Sequence, residues 1–357
     1  MEGFGETTPA ASSHHEMRFD GSGGEYFKIW IVNLALTIVT LGIFSAWAKV
    51  RNRRYFYGNT FLDGHSFDYH GDPRRILLGR LIALGILLAY YLTAMATPLA
   101  GLIWIPIFFI AAPWLIMSSF RFNARNTSYR NIRFDFHGGY GGAFKAFILW
   151  PIGAAFSLGT LIPLAHRARD YYQINNHSFG GKWFNAVIPA GRLYMIYLLA
   201  LATLAAGATL AFAAFTHSGI DFANLPQKGE PPTPAMLAFF MLFALIYMVT
   251  FLFLITFVGT MVFNLVINCT RLGDELHLQS QLSPFAIVWL VFSNLFMTII
   301  TLGFFTPWAK VRAIRYLAGR LSVNGPTSME GFVASAAAPG SAIGEEVAGF
   351  FDFDFGL

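Results

Sequence analysis

The chain of 357 residues is 55% hydrophobic and 17% aromatic but only 12% charged, about half the ionisable content of a soluble domain, which excludes an ordinary water-soluble globule for most of its length. Its net charge of +5 lies beside apolar stretches, where it reads as a topology signal, and without a recognisable basic module nucleic-acid binding is not expected. The single cysteine, Cys269, excludes an internal disulfide and a cysteine-held metal or iron–sulfur centre.

Residues 1–17, MEGFGETTPAASSHHEM, are polar, lack the apolar core of a secretory signal, and are expected to form a disordered arm. An apolar stretch, 27–47, follows, in which Asn33, Thr37 and Thr40 fall at i, i+4 and i+7 and so share one helix face. It runs into VTLGIFSAWAKVRNRRY (39–55). There Gly42 suits a helix end and Ser45 a new helix start. Trp47 with Lys49, Arg51, Arg53 and Arg54 makes the tryptophan-and-cation pattern of a membrane–water interface. Next, Asn59, Gly64 and Phe67 bracket a hairpin: Asp63-Gly64 tolerates positive φ, and Phe67-Asp68-Tyr69-His70 alternates as a strand does.

Two spans, 76–96 and 99–119, are long enough to cross a bilayer, which takes roughly 20 helical residues; among Asp, Glu, Lys and Arg only Arg80 intrudes. Asn126, Asn131 and Phe134 repeat the hairpin spacing, and the glycine-rich GGYGG (138–142) reads as a flexible helix entry. A weaker junction, FSLGTLIPLAHRARDYY (156–172), keeps Gly159 and Pro163 but lacks the tryptophan, and Trp150-Pro151 replaces the asparagine stripe. Asn176, Gly181 and Phe184 give a further hairpin, and spans 193–215 and 236–267 flank a polar loop, 216–234. The spacing recurs at Asn268, Gly273 and Leu276. A last apolar stretch, 284–308, carries Asn294, Thr298 and Thr301 as a second stripe and ends in ITLGFFTPWAKVRAIRY (300–316). That junction has Gly303, Thr306-Pro307, Trp308, Lys310, Arg312 and Arg315, and a worn hairpin remnant follows at Arg320 and Gly325. From about 328 the chain is rich in Ala, Gly and Ser and ends GFFDFDFGL, either a tether whose end adds a strand to the hairpins or a partner, or a disordered tail.

The fold class expected is mainly α: a polytopic helical membrane protein with small β-hairpins on its cytoplasmic face. Its organisation is an arm (1–17), repeat units at 18–133 and 134–275, a half-repeat at 276–327 and a flexible tail (328–357). The three Leu-Gly-to-basic junctions and the Asn-x4-Gly-x2-Phe hairpins resemble the YjgN-like family of bacterial inner-membrane proteins, whose function is unknown. The resemblance covers nearly all of 18–327 and implies an inner-membrane location and a helical bundle. It brings no established site residues.

Two threadings are open. If each of the three junction segments crosses, seven crossings result, and Arg167, Arg169, Lys182, Arg192 and Arg271 fall opposite the Lys49–Arg54 cluster. If those segments dip and return, four spans cross, and of 24 Lys and Arg all but Lys228 lie on or near one side. The positive-inside rule favours the second, with both termini cytoplasmic.

No nucleophile elbow, P-loop, dinucleotide fingerprint or zinc motif is present, so no enzyme, cofactor or metal is expected. Asp68/His70 and Asp135/His137 could pair on a strand face around a metal, but surface hydrogen bonding explains them as well. The Asn and Thr stripes fit either a polar path or interhelical hydrogen bonds. The basic helices fit either topology fixing or the binding of anionic lipid head groups. Two functions follow: a transporter or channel for a small solute or lipid, or a non-transporting scaffold binding lipid or a protein partner through its basic face. The first predicts a polar cavity reaching Asn33 or Asn294.

Overall fold

The computed structural model describes residues 13–217, 234–326 and 329–336. Short strands alternate with helical excursions. Strand β1 (Ser13–Phe19) precedes helices α1 (Gly23–Val39) and α2 (Ser45–Gly58), then β2 (Thr60–Leu62) and β3 (His65–Tyr69). Helices α3 (Pro73–Ala96), α4 (Pro98–Gly101) and α5 (Trp104–Arg125) lead to β4 (Thr127–Tyr129) and β5 (Ile132–Phe136). The third excursion is α6 (Tyr140–Phe144), a π-helical turn (Lys145–Leu149), α7 (Trp150–Phe156) and α8 (Ile162–Asn175), ending in β6 (His177–Phe179) and β7 (Lys182–Ala186). Helices α9 (Ala190–His217) and α10 (Pro234–Asn268) return to β8 (Thr270–Leu272) and β9 (Leu276–Ser280). The last excursion, α11 (Pro284–Ile300) and α12 (Thr306–Ala318), ends in β10 (Leu321–Gly325), and α13 (Met329–Ala336) follows.

The strands pair antiparallel in one closed order, because β1 pairs with β10 through Ser13–Glu16 and with β2 through Met17–Phe19. A free hairpin of such length is marginal in water. Closure gives every strand two neighbours and leaves no edge exposed. Each junction places apolar side chains in register: Met17 opposite Leu62, Phe67 opposite Tyr129, Phe134 opposite Phe179, Phe184 opposite Leu272, Leu278 opposite Val323. Leu62, Tyr129, Phe179, Leu272 and Leu276 form one core with Met329, Phe332, Val333 and Ala336, so α13 plugs the turn end of the ring. The Tyr129 hydroxyl donates to Leu62 O at 2.8 Å, and burial pushes its pKa up to about 12, which keeps this core uncharged.

Helices follow the strand order. α1 packs on α2 and α12, α2 on α3, α5 on α6, α8 on α9, α10 on α11, and α11 on α12. Four stretches are long and apolar enough to cross a membrane by length and composition: Pro73–Ala96, Leu99–Arg125, Ala190–Thr209 and Phe240–Asn268. Each helical excursion begins and ends in the strand ring.

The three Leu-Gly junctions share one backbone geometry. Leu41, Leu158 and Leu302 have φ of 51°, 52° and 50°, and the glycines after them 93°, 88° and 93°. Gly42, Gly159 and Gly303 donate to Thr37, Ala154 and Thr298 carbonyls at 2.7–2.8 Å, the six-to-one bond that closes a helix C-terminus. A leucine in left-handed conformation costs about 1–2 kcal/mol. These leucines are also 95%, 95% and 88% exposed. Moving a leucine side chain from water to an apolar medium favours it by roughly 1.5–3 kcal/mol, enough to outweigh the strain if the tips sit in lipid.

Several expectations are corrected. Ser13–Met17 of the expected disordered arm belong to β1; residues 1–12 lie outside the described residues. The remnant at Arg320 and Gly325 is a single strand joining β1 to β9 rather than a hairpin. The tail is helical at Met329–Ala336, and its GFFDFDFGL end lies outside the described residues. In the fourth hairpin Cys269, not Asn268, directly precedes the strand, and the turn Gly273–Glu275 holds one residue more than the turns before it.

Candidate functional site

The polar stripes meet the basic helices rather than a channel. Asn33 is buried; its Nδ2 donates to Asn52 Oδ1 at 3.0 Å and its Oδ1 accepts from Arg51 at 3.0 Å. Asn294 repeats this, accepting from Arg312 at 2.7 Å and donating to Ala309 O at 3.1 Å. Thr37 donates to Asn33 O at 2.6 Å. Thr40 and Thr301 each donate one turn back and accept from Phe44 and Phe305 N–H at 2.9 Å, closing the joint. Thr298 supplies the carbonyl that holds Gly303.

Arginines of the returning helices are spent on the ring and its corners. Arg53 donates to the Tyr69 hydroxyl at 2.8 Å and also to Asn123; Arg54 reaches Tyr69 O at 3.3 Å. Arg315 donates to Gly21 O at 2.7 Å, and outside the sequence-selected set Arg167 donates to Ile188 O at 2.8 Å. Trp47 packs half-buried beside Ala46 and Val50, while Trp308 stands 37% exposed, 5.0 Å from the Phe27 ring. Lys49 is half-buried and Lys310 exposed. The Asp-His pairs serve the ring: His70 bonds Ser128 at 2.7 Å, His137 bonds Ser178 at 3.1 Å, and Asp135 pairs with Arg125 at 2.9 Å. No metal-binding group of three such side chains occurs among the described residues.

The dips are tied to the long helices at matching depth. Arg80, seven residues into α3 and so about 10 Å along it, donates to Ser45 Oγ at the start of α2. Tyr197, likewise seven residues into α9, meets His166 Nδ1 of α8 at 2.6 Å. His166 Nε2 lies 3.2 Å from Asp170, which also pairs with Arg169 at 3.1 Å. Sequence reasoning passed over this cluster: His166 and Asp170 stand at i, i+4, but their partner Tyr197 lies 31 residues from His166, on another helix.

A cavity of about 460 Å³ opens at the helix end of the strand ring, on the side of β1–β6. Met17, Phe67 and Phe134, which pack against the α13 core, form its floor; Phe56 and Tyr57 of α2, Ile314 of α12 and Ala124 of α5 line its walls. Thr60, Thr127 and His177, the first residues of β2, β4 and β6, enter it together with Asn123. Neither Asn33 nor Asn294 lines it; both are buried against arginine partners instead. Local chemistry explains the alignment. Asn59, Asn126 and Asn176 each donate to the carbonyl four residues back at 2.7–2.8 Å, ending the helix so that the next residue starts a strand. That neighbour of each asparagine was the signal that sequence reasoning could have used.

These features define a class: an apolar helical protein of membrane type, closed at one end by a plugged ring of strands with a cavity at its helix end. The family described as "Bacterial protein of unknown function (DUF898)" matches residues 14–350, and the chain belongs to it. It is similar to proteins named "Inner membrane protein YjgN": 30% identical over 148 residues to that of Escherichia coli K12, covering 41% of this chain and 37% of the relative. The O157:H7 protein gives the same values. The Salmonella typhimurium LT2 protein is 22% identical over 356 residues, covering 87% of this chain and 89% of the relative. The chain thus spans little more than a third of the E. coli relatives over the matched stretch. No solved structure matches it.

Proposed function

We propose that this chain is an integral inner-membrane protein that crosses the bilayer four times and holds a small lipid-like solute in this cavity. The strand ring and both termini face the cytoplasm, and the three junction hairpins dip into lipid without crossing. One observation carries the reading: helices pack with their neighbours around the ring, leaving at its helix end a largely apolar cavity within the usual ligand-pocket range of roughly 300–1,000 Å³. The names of the relatives support the location, and the matching joint geometry supports an organisation of two and a half units, 18–133, 134–275 and 276–327. A scaffold reading through the basic face has less support, because Arg51, Arg53, Arg54, Arg312 and Arg315 already have partners within the chain.

The test is occupancy. Thr127→Trp fills the cavity from β4, where the helix end and ring leave room. Native mass spectrometry of protein purified from its own membrane should show a co-purifying amphiphile on the natural chain and its loss from the variant. An unchanged complement of bound species on a folded variant refutes the cavity as the binding site.

A further inference from the structure

From the hydrogen-bond senses around the cavity we infer the chemistry of its ligand: an uncharged amphiphile with one apolar chain ending in a hydroxyl, held with that hydroxyl against His177 and Asn123. The inference rests on the cavity reading above and names the ligand class that reading leaves open.

Three strand-start residues set the rule. Thr60 Oγ1 donates to Phe56 O at 2.8 Å, and Thr127 Oγ1 donates to Asn123 O at 2.8 Å. His177 Nδ1 lies 2.5 Å from Gln173 O, a contact that requires the proton on Nδ1. Each has therefore given its donor to the helix it follows, and each keeps a lone pair for the cavity. With Nδ1 protonated, the neutral ring presents Nε2 as an acceptor, and no partner for Nε2 occurs among the described residues. Burial favours that neutral ring, since it lowers the His177 pKa from its ordinary 6.5.

The other polar groups narrow the choice. Asn123 Oδ1 accepts from Arg53, while its Nδ2 has only a 3.5 Å contact with Ser119 Oγ, leaving a donor to share. Tyr57 brings a hydroxyl of either sense. A ligand hydroxyl donates to His177 and accepts from Asn123 at once; an ether can only accept. A carboxylate or phosphate meets acceptor lone pairs at Thr60, Thr127 and His177 and cannot donate to any of them. Phe56, Phe67 and Phe134 leave the remaining wall to an apolar chain.

The experiment uses the full-length protein in detergent micelles and three probes of equal chain length: a long-chain alcohol, its methyl ether, and the matching carboxylate above its own pKa. Affinities are read by native mass spectrometry competition. We expect the alcohol to bind about tenfold tighter than the ether, the worth of one hydrogen bond to a buried acceptor, and the carboxylate weakest. His177→Leu should bring alcohol and ether to near equality. His177→Thr should keep the preference, because threonine at Thr60 and Thr127 already turns its donor away. Equal binding of all three probes, or preference for the carboxylate, overturns the hydroxyl rule while leaving the cavity standing. Binding of none overturns the cavity reading and this inference with it.

Discussion

Thr60, Thr127 and His177 stand at corresponding strand starts, and only the histidine titrates near neutrality. Burial favours its neutral ring, so the folded-state pKa lies below the ordinary 6.5, with Asp135 and His137 pulling it in opposite directions. The unfolded chain consequently takes up the proton first as pH falls. Stability should be whole above about pH 6.5 and decline as pH drops through the lower folded-state value. Thermal unfolding in detergent across this range measures it, and His177→Thr should flatten that part of the profile; an identical slope in both proteins sinks the assignment. At this scale the sequence was partly legible. The helix-ending asparagines stood out by spacing, whereas His177 did not, because its role depends on a proton committed to Gln173 and on a cavity built from distant segments.

Junction segments were the most legible elements. Gly42, Gly159 and Gly303 mark a joint whose geometry is set within a few residues, so a local pattern suffices. Their polar stripes were ambiguous, because the partners Arg51 and Arg312 lie 18 residues further on, in the returning helix. Removing such a partner should therefore destabilise the dip: Arg312→Ala leaves Asn294 Oδ1 buried without its charged donor, at a cost of about 1–3 kcal/mol. Exposed Lys310→Ala should change stability by less than about 0.5 kcal/mol. Chemical denaturation of the two variants separates a structural arginine from a generic surface cation. The plug offers a second test. Gly180 has φ of +55°, and a Cβ there would stand 2.1 Å from Ala336 O, a backbone atom that also accepts from Gly181 N at 3.2 Å. Gly180→Ala should displace α13 and expose it to protease while the ring itself remains paired. A protease pattern unchanged from the natural chain would show that the plug tolerates the clash.

For the whole molecule, the strand ring is the constraint that local reading could not supply. Ser13 pairs with Gly325 across nearly the entire chain, and β1 lies where composition suggested disorder. With the ring on one side of a bilayer, helix lengths argue for the threading proposed above. α3, of 24 residues, is about 36 Å long and exceeds a hydrocarbon core of roughly 30 Å. α1, of 17 residues, is about 26 Å long and turns back at Leu41. Cysteine accessibility on a Cys269→Ser background tests this in intact cells. Gly181→Cys, in the turn between β6 and β7, should resist an impermeant thiol reagent until the membrane is opened. Thr97→Cys, exposed at the far end of α3, should react from outside. On the proposed threading the tips lie in lipid, where thiolate does not form, so Leu41→Cys and Leu302→Cys should stay unreactive from either side. With seven crossings Gly181→Cys would instead label from outside, and the four-span reading would fall.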